Sequence, residues 1–569
     1  VRAEIIPLHI AGECAYLCSA FNIEIPMTKP NANLKTGDIV VKKPKAPEAG
    51  RVRAKQSRAV KHGHKLVLRH LTLDDFKDIR AIFENTYADM GGSWMKEQVA
   101  ALLAVFPEGQ ICIEDKGHVI AVALSLIVKY SEWGDKHTYA DITADGTFAT
   151  HDPDGDTLYG VDVIVNPDYR NLRLGRRLYD ARKELCEQLD LRAIVAGGRI
   201  PNYRNYADKM TPRQYIELVK KREIYDPVLS FQLSNEFHVR KVIRGYEPMD
   251  TDTRGYATLL EWLNIYYEEK SATPKVAPQA KYVVRVGAIQ WQMRPVASFE
   301  ELMRHVEFFI DAIASYNADF AVLPEFFVAP LMALAENRDP ASAIRYLAEY
   351  SIRLRAELQE MALSYNINII AGSVPEYRGG ALRNVSYLMR RDGTSDSQYK
   401  LHCTPDEKSY WGMEGGDNLA VFDTDVGRIG ILVCYDVEFP ELSRLLADQG
   451  MSILFVPYWT DTRNAYLRVR YCAQARAVEN ECFVVITGSV GNLPNVKNMD
   501  IQYSQSAIFT PSDYSFPQDC IAAETAPNNE TVLIAELDLS LLKELHVRGS
   551  VRNLNDRRLD LYNLTLVKE

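Results

Sequence analysis

Three short runs in this chain each end in a reactive side chain: FAVLP (320–324) leads into Glu325, QY (398–399) into Lys400, and GRIGILV (427–433) into Cys434. A carboxylate, an ammonium and a thiol held together have a coherent chemistry, the cleavage of a carbon–nitrogen bond. The thiolate attacks a carbon bonded to nitrogen while a neighbouring base takes the thiol proton. A carboxylate serves as that base if burial raises its pKa. A fixed cation stabilises the developing oxyanion, and water then hydrolyses the thioester. Taken one at a time, the three residues have plainer readings. A strand-end cysteine usually packs in a core, and a glutamate or lysine after a strand is usually a solvated charge. Periodicity alone does not select them.

The elements that must position these groups follow from local pattern. Cys434 is followed by YDVEFPE, where Pro440 suits the first turn of a helix with Leu442, Leu445 and Leu446 on its apolar side and Gly450 as its stop. This predicts Cys434 on a strand-to-helix turn, exposed above a rigid sheet. Further strands are expected at 283–291, 320–324, 367–374, 384–390, 398–402, 427–434, 452–457, 482–489 and 506–510, with RDGTSD (391–396) as a hairpin turn. Upstream, strands are expected at 65–71, 118–128, 157–165 and 191–198. Helices are expected over 74–87 and from Gly175 to about Leu189. EKSATPKVAPQAK (269–281) reads as a linker between two α/β regions. The expected organisation is a lead-in over 1–64, one domain over 65–268, the linker, and a second domain over 282–569.

With 569 residues the chain is too long for one compact domain, at roughly 150 residues per domain. No uncharged apolar run reaches the roughly 18 residues that a membrane span needs. The nine cysteines are scattered without a metal-type CxxC pair, and residues 1–20 carry Glu4, His9 and Glu13 where a signal peptide would be apolar. A cytoplasmic protein with reduced thiols and no metal is expected. Between Met27 and Lys65 eleven Lys and Arg face only Asp38 and Glu48, a local balance of +9. Residues 1–26 contribute -2, which leaves -17 on 66–569. Without interleaved aromatic residues this basic stretch reads as a solvated lead-in rather than a nucleic-acid or membrane tether. Met27 at its head is a candidate start of the native chain.

Residues 283–562 resemble a complete carbon–nitrogen hydrolase, or nitrilase-superfamily, domain. ADFAVLPEFF (318–327), YKLH (399–402) and LVCYDVEFPE (432–441) are similar to that family's glutamate, lysine and cysteine motifs, in the family order; QARAVEN (474–480) and RRLDLY (557–562) also match. The resemblance implies a catalytic Glu325–Lys400–Cys434 triad. It implies Glu407 as a second active-site carboxylate, with Asp406 as its competitor, and an oxyanion pocket made by Lys400 and the Tyr435 N–H. It also implies a four-layer αββα sandwich, a homodimer or higher homo-oligomer, and no cofactor. True nitrilases usually carry Cys-Trp-Glu at the nucleophile. Cys434-Tyr435-Asp436 is similar to the amidase and carbamoylase branches, so a small-molecule amide or carbamoyl substrate is expected over a nitrile. Gln505 stands where the family often has glycine. Arg476 and Glu479, three apart on a helix face, are expected to form a structural ion pair.

VDVIVNPDYRNLRLGRRLYDA (161–181) resembles the acetyl-CoA motif of GNAT N-acetyltransferases, in which loop N–H groups at a helix N-terminus hold a pyrophosphate. The resemblance implies that Val163, Val165, Arg170, Asn171, Leu172, Arg173, Leu174 and Gly175 bind acetyl-CoA or another acyl-CoA. Arg173 replaces the motif's middle glycine, and its side chain is expected to add a phosphate contact. In the late segment where the family often uses a tyrosine as general acid stands Gln232, with Glu236 for a glycine; Gln232 cannot donate a proton as tyrosine does. Asp162 is a candidate base or a hydrogen-bonded strand residue. The long segment 197–235, rich in tyrosine and basic residues, either lines an acceptor site or contacts the second domain.

The whole therefore reads as a GNAT-like α/β domain fused to a thiol amidohydrolase. An acyltransferase that passes the thioester acyl group to an amine is one alternative. A non-catalytic, binding role for the GNAT-like half is the other.

Overall fold

The computed structural model describes residues 3–7, 63–86, 94–133, 137–267 and 283–567. The basic stretch through residue 62, apart from a strand at Ala3–Pro7, and the linker 269–281 lie outside the described residues.

Residues 66–263 build a seven-stranded sheet. Its order is Leu66–His70, Ile111–Asp115, His118–Val128, Thr157–Val165, Ala193–Arg199, Tyr256–Leu263 and His238–Arg244. All neighbours are antiparallel except Thr157–Val165 and Ala193–Arg199, which pair in parallel only from Thr157 with Ala193 to Gly160 with Ala196 and then part. Ile79, Ile82 and Phe83 of helix Phe76–Thr86 join the core on one face, and Leu174, Leu178 and Leu185 of helix Leu174–Gln188 join that on the other. Three of these strands are absent from the sequence expectation. Ile111–Asp115 is short and turns into its partner through Lys116 and Gly117 at positive φ. His238–Arg244 (HVRKVIR) is an edge strand, and its charges are what a sheet edge requires but are poor strand signals.

The second half is a sandwich of two sheets. One runs from Val374–Arg378 through Ala381–Met389, Asn368–Ile370, Phe320–Val322 and Val283–Met293 to Thr531–Asp538; Ser395–Tyr399 pairs with the free side of Ala381–Met389. The other runs Phe422–Thr424, Gly427–Ile431, Ile453–Tyr458, Phe483–Asn492, Ala507–Phe509 and Ile521–Glu524. The two are stitched where Ser489–Gly491 pairs with Trp291–Met293. Their inner faces supply one core, in which Phe320 of the first sheet meets Phe455 of the second at 5.0 Å between ring centroids. Helices Phe299–Ser315 and Ser351–Tyr365 cover one outer face, and Pro440–Asp448 and Arg463–Asn480 the other, which makes the four-layer αββα arrangement.

The expected single strand over 367–374 is two strands. Gly372 breaks it at φ 53°, in a place where a Cβ would run into the Pro324 carbonyl. This break lets Ser373 bridge to Glu325 and its carbonyl accept from the Phe326 N–H at 3.0 Å, so the irregularity shapes the exit of the chain at Glu325.

Candidate active site

Each reactive side chain stands one to three residues beyond the end of a strand. Phe320–Val322 ends before Glu325, which is followed by Phe326 at φ 50°. Ser395–Tyr399 ends before Lys400, whose N–H donates to the Asn384 carbonyl at 2.9 Å. Gly427–Ile431 ends before Cys434, which opens a 3₁₀ turn, Cys434–Glu438, ahead of the helix that begins at Pro440. Cys434 itself adopts φ 49°, a left-handed conformation unfavourable for a residue with a side chain and frequent at functional sites.

The structure brings Glu325, Lys400, Glu407 and Cys434 together in a nearly closed centre, where they are 1, 2, 3 and 7% exposed. Lys400 Nζ lies 2.9 Å from Glu325 Oε1 and 2.9 Å from Glu407 Oε1. Asn384 Nδ2 donates to the same two oxygens at 2.9 and 3.2 Å. The second oxygen of each carboxylate is also held: Glu325 Oε2 accepts from the Trp459 N–H at 2.9 Å and Glu407 Oε2 from the Thr404 N–H at 2.7 Å. Cys434 Sγ donates to the Trp459 carbonyl at 3.5 Å. Asp406, the competitor of Glu407, is exposed. Glu407 opens a π-helical turn, Glu407–Trp411, an irregularity that turns its carboxylate inward.

Charge and burial set the protonation states. Burial pushes the Glu325 carboxyl up, with Lys400 acting against it. The two carboxylates overcome the desolvation of Lys400 and hold its ammonium well above the usual lysine range. Burial, and then the Glu325 charge, push the Cys434 thiol well above the usual cysteine range. Cys434 thus carries a neutral thiol beside the Glu325 carboxyl rather than a preformed thiolate.

Several residues of this centre are missed by reading the sequence. Asn384 ties the carboxylates together, and its signal is a polar residue on a buried strand face. Trp459 acts through its backbone, which no side-chain motif reports. Asp436 accepts from the Leu401 and His402 N–H groups at 3.0 and 2.8 Å and from His402 Nδ1 at 3.0 Å, and so staples the lysine loop to the nucleophile turn. Arg476 pairs with Glu479 at 2.9 Å as expected and also donates to the Val437 and Glu438 carbonyls of that turn. Asp436→Ala is expected to leave two N–H groups unpaired, to cost about 2–4 kcal/mol of stability, and to lower kcat about 10- to 100-fold with little change in KM. Thermal denaturation and steady-state kinetics check this; unchanged kcat in the destabilised variant removes the positioning role.

A cleft of about 570 Å³, lined by Leu401, His402, Cys403, Pro405, Lys408 and Tyr435 among others, is bounded by the segments that follow Lys400 and Cys434. Phe326, Trp411 and Trp459 form an aromatic wall, with ring centroids 5.3 and 6.4 Å apart, and the indole N–H of Trp411 and of Trp459 has no hydrogen-bond partner among the described residues. Gln505 is held by Tyr466 at 3.1 Å and by the Thr525 carbonyl at 2.8 Å.

The residues expected to hold acyl-CoA stand elsewhere. Val163 and Val165 lie in strand Thr157–Val165, paired on one side with Ala123 and Ala121. Arg170 is exposed, Leu172 and Leu174 are buried, and Gly175 lies against Phe231, where a Cβ would come within 2.9 Å of the ring; nothing is described of the Asn171 side chain. Arg173, expected to add a phosphate contact, is exposed on this loop. Its guanidinium reaches Asp311 at 3.2 Å and the Tyr365 hydroxyl at 2.9 Å, because the loop packs against the second half. Asp162 accepts from the Val163 N–H at 2.9 Å, and burial pushes its carboxyl up to about 6. Three tyrosines of 197–235 pack within the first half, Tyr203 and Tyr206 against Tyr215, with Tyr215 bonded to Asp226 at 2.8 Å, while Tyr225 is exposed.

The family model for carbon-nitrogen hydrolases matches residues 285–547, and that for the acetyltransferase (GNAT) family matches 76–207. The chain is 46% identical over 504 residues to the probable hydrolase YhcX of Bacillus subtilis, covering 89% of this chain and 98% of that one. It is 36% identical over 178 residues to the uncharacterized N-acetyltransferase YkwB of the same organism, covering 31% of this chain and 78% of YkwB. It is 28% identical over 292 residues to omega-amidase NIT2-A of Xenopus laevis, covering 49% of this chain and 97% of that one. The buried Glu325–Lys400–Glu407 cluster beside Cys434 thus lies inside a matched hydrolase region, and this chain belongs to the carbon–nitrogen hydrolase (nitrilase) superfamily, in the arrangement that fuses the hydrolase behind a GNAT-type domain.

Proposed function

We propose that this chain hydrolyses the C–N bond of a small-molecule amide or carbamoyl compound through a thioester on Cys434. The observation that carries the reading is the Lys400 ammonium clamped at 2.9 Å by two buried carboxylates beside a cysteine at positive φ. Glu325 takes the thiol proton as Sγ attacks the carbonyl carbon. Two of the three Lys400 N–H bonds are used by Glu325 and Glu407, so the third serves the oxyanion, together with the Tyr435 N–H, which has no intrahelical acceptor at the start of its turn. The C–N bond breaks, and the leaving nitrogen takes the proton from Glu325. Water then attacks the thioester, loses its proton to Glu325, and releases the acid and the free thiol. Glu407 holds the Lys400 ammonium in place throughout. Cys434-Tyr435-Asp436 and the amidase named among the relatives support an amide over a nitrile. The aromatic wall of Phe326, Trp411 and Trp459 suits an acyl portion that is partly apolar, and the two unpaired indole N–H groups suit a polar atom at its far end.

The test is ammonia release from a panel of amides, carbamoyl compounds and nitriles, with Cys434→Ala alongside. Release from amides that falls at least about 10⁴-fold in the variant is expected. Release that persists in Cys434→Ala overturns the thioester. Products that form only with an added amine acceptor, and no free acid, replace hydrolysis by acyl transfer.

A further inference from the structure

Whether the first half can take an acyl-CoA turns on two places: the loop ahead of helix Leu174–Gln188, and the wedge where strands Thr157–Val165 and Ala193–Arg199 part. An extended ligand chain needs the wedge open, and a pyrophosphate needs the loop open.

Side chains of the protein crowd the sheet faces beside the wedge. Arg182, 2% exposed, packs over Gly160 and donates to the Leu124 carbonyl at 2.9 Å and to the Asp162 carbonyl at 2.8 Å, at the bulge of the adjoining strand pair. The glycines at its margins show the same crowding. A Cβ on Gly160 would lie 2.8 Å from Arg182 Nη1, one on Gly198 would lie 2.5 Å from Gln232 Oε1, and one on Gly197 would run into the Tyr246 ring. Gln232, which stands where the family often has a tyrosine, faces Tyr179 at 3.5 Å and is buried with it.

The loop is covered by the second half. Arg173 lies 3.8 Å over the Tyr365 ring, donates to the Tyr365 hydroxyl and pairs with Asp311. Tyr365 in turn donates to Glu307 at 2.8 Å. Arg176 reaches the Ala314 carbonyl at 3.5 Å, and Arg177, 8% exposed and pulled down to about 9 by burial, donates to the Arg391 carbonyl. Leu363 of the second half sits in one core cluster with Leu172, Leu174 and Leu178. Glu307 and Asp311, one turn apart on helix Phe299–Ser315, thus present to the loop the negative charge that a pyrophosphate would bring.

We propose that the GNAT-type half of this chain takes no acyl-CoA and serves as the docking partner of the hydrolase, with the loop arginines Arg173, Arg176 and Arg177 turned to that contact. This goes beyond the proposed hydrolysis and does not rest on it. The disagreement with the family's cofactor lies in this chain's own residues, which cover the loop and crowd the sheet faces beside the wedge.

Two measurements on the full chain test it. In calorimetric titration with acetyl-CoA and with CoA, no saturable heat is expected at up to millimolar ligand, and no rise in melting temperature. Saturable binding of either overturns the proposal. In deuterium exchange, Arg173→Glu sets a carboxylate against Asp311 and is expected to speed exchange several-fold in 351–365 and 390–393, with Arg173→Glu/Asp311→Arg restoring protection. Exchange unchanged by the single reversal overturns the docking role. Ammonia release is read separately, so either failure leaves the hydrolase reading standing.

Discussion

Lys400→Met is expected to cost the fold about 3–5 kcal/mol and to lower ammonia release at least about 10³-fold. The side chain is 2% exposed, and its ammonium lies 2.9 Å from Glu325 and from Glu407. Methionine fills much the same volume but leaves two buried carboxylates facing one another, with only Asn384 Nδ2 donating to both. The stability loss is pH-dependent with a definite sign. The Glu325 carboxyl is already pushed up by burial and rises further when the lysine that lowers it is gone. A carboxyl whose folded-state pKa exceeds its unfolded value favours the fold when protonated, and that contribution is lost as pH rises through the folded-state value. The variant's melting temperature should therefore rise on acidification from pH 8 toward about 5.5, with the deficit largest at the alkaline end. A variant as stable as the parent at pH 8 would show that the carboxylates are not held by this ammonium.

Glu325→Gln is expected to keep the fold and to lose about 10²–10⁴ in kcat/KM, the range for removal of a positioned base. Glutamine keeps one oxygen for the Lys400 and Asn384 donors and loses the acceptor that the Trp459 N–H uses, so the change falls on proton transfer and on that one hydrogen bond. The pH profile gives the sharper signature. In the parent, kcat/KM is expected to rise with pH as Glu325 ionises, with the limb above the ordinary carboxylate range because burial raises that group. In the variant this limb disappears. Residual activity instead rises in alkaline solution, where the Cys434 thiol, still raised by burial, ionises without help. A variant that keeps the parent's acid limb would assign the base elsewhere.

How much of this was legible beforehand differs by element. Pro440 and Gly450 set the helix after the nucleophile by local chemistry alone, and the observed helix is Pro440–Asp448. The buried strands Phe320–Val322 and Gly427–Ile431 appear where apolar runs predicted them, shorter at their C-terminal ends because the chain leaves the sheet to deliver its side chain. The strand over 367–374 failed as a single unit because Gly372 turns against the Pro324 carbonyl, a contact across 48 positions that no window contains. The charged edge strand His238–Arg244 was invisible to a reading based on apolar alternation.

By itself, the sequence determined the family. A glutamate, a lysine and a cysteine each following a strand stand in motifs similar to those of the carbon–nitrogen hydrolases, and turn and capping residues imply the elements that hold them. Tertiary structure alone decided the burial of those groups and the partners of the first half's loop. Glu325 and Lys400 are 75 residues apart and meet only through packing of the sandwich, which supplies the burial that sets their protonation. Asn384, the Trp459 backbone and Asp436 acquire their roles the same way. Arg173 stands in a phosphate-binding pattern, yet its direction is set by the neighbour it packs against, 138 residues away at Asp311. Local pattern fixes which side chains a segment presents, and the partner each one meets is a property of the folded chain.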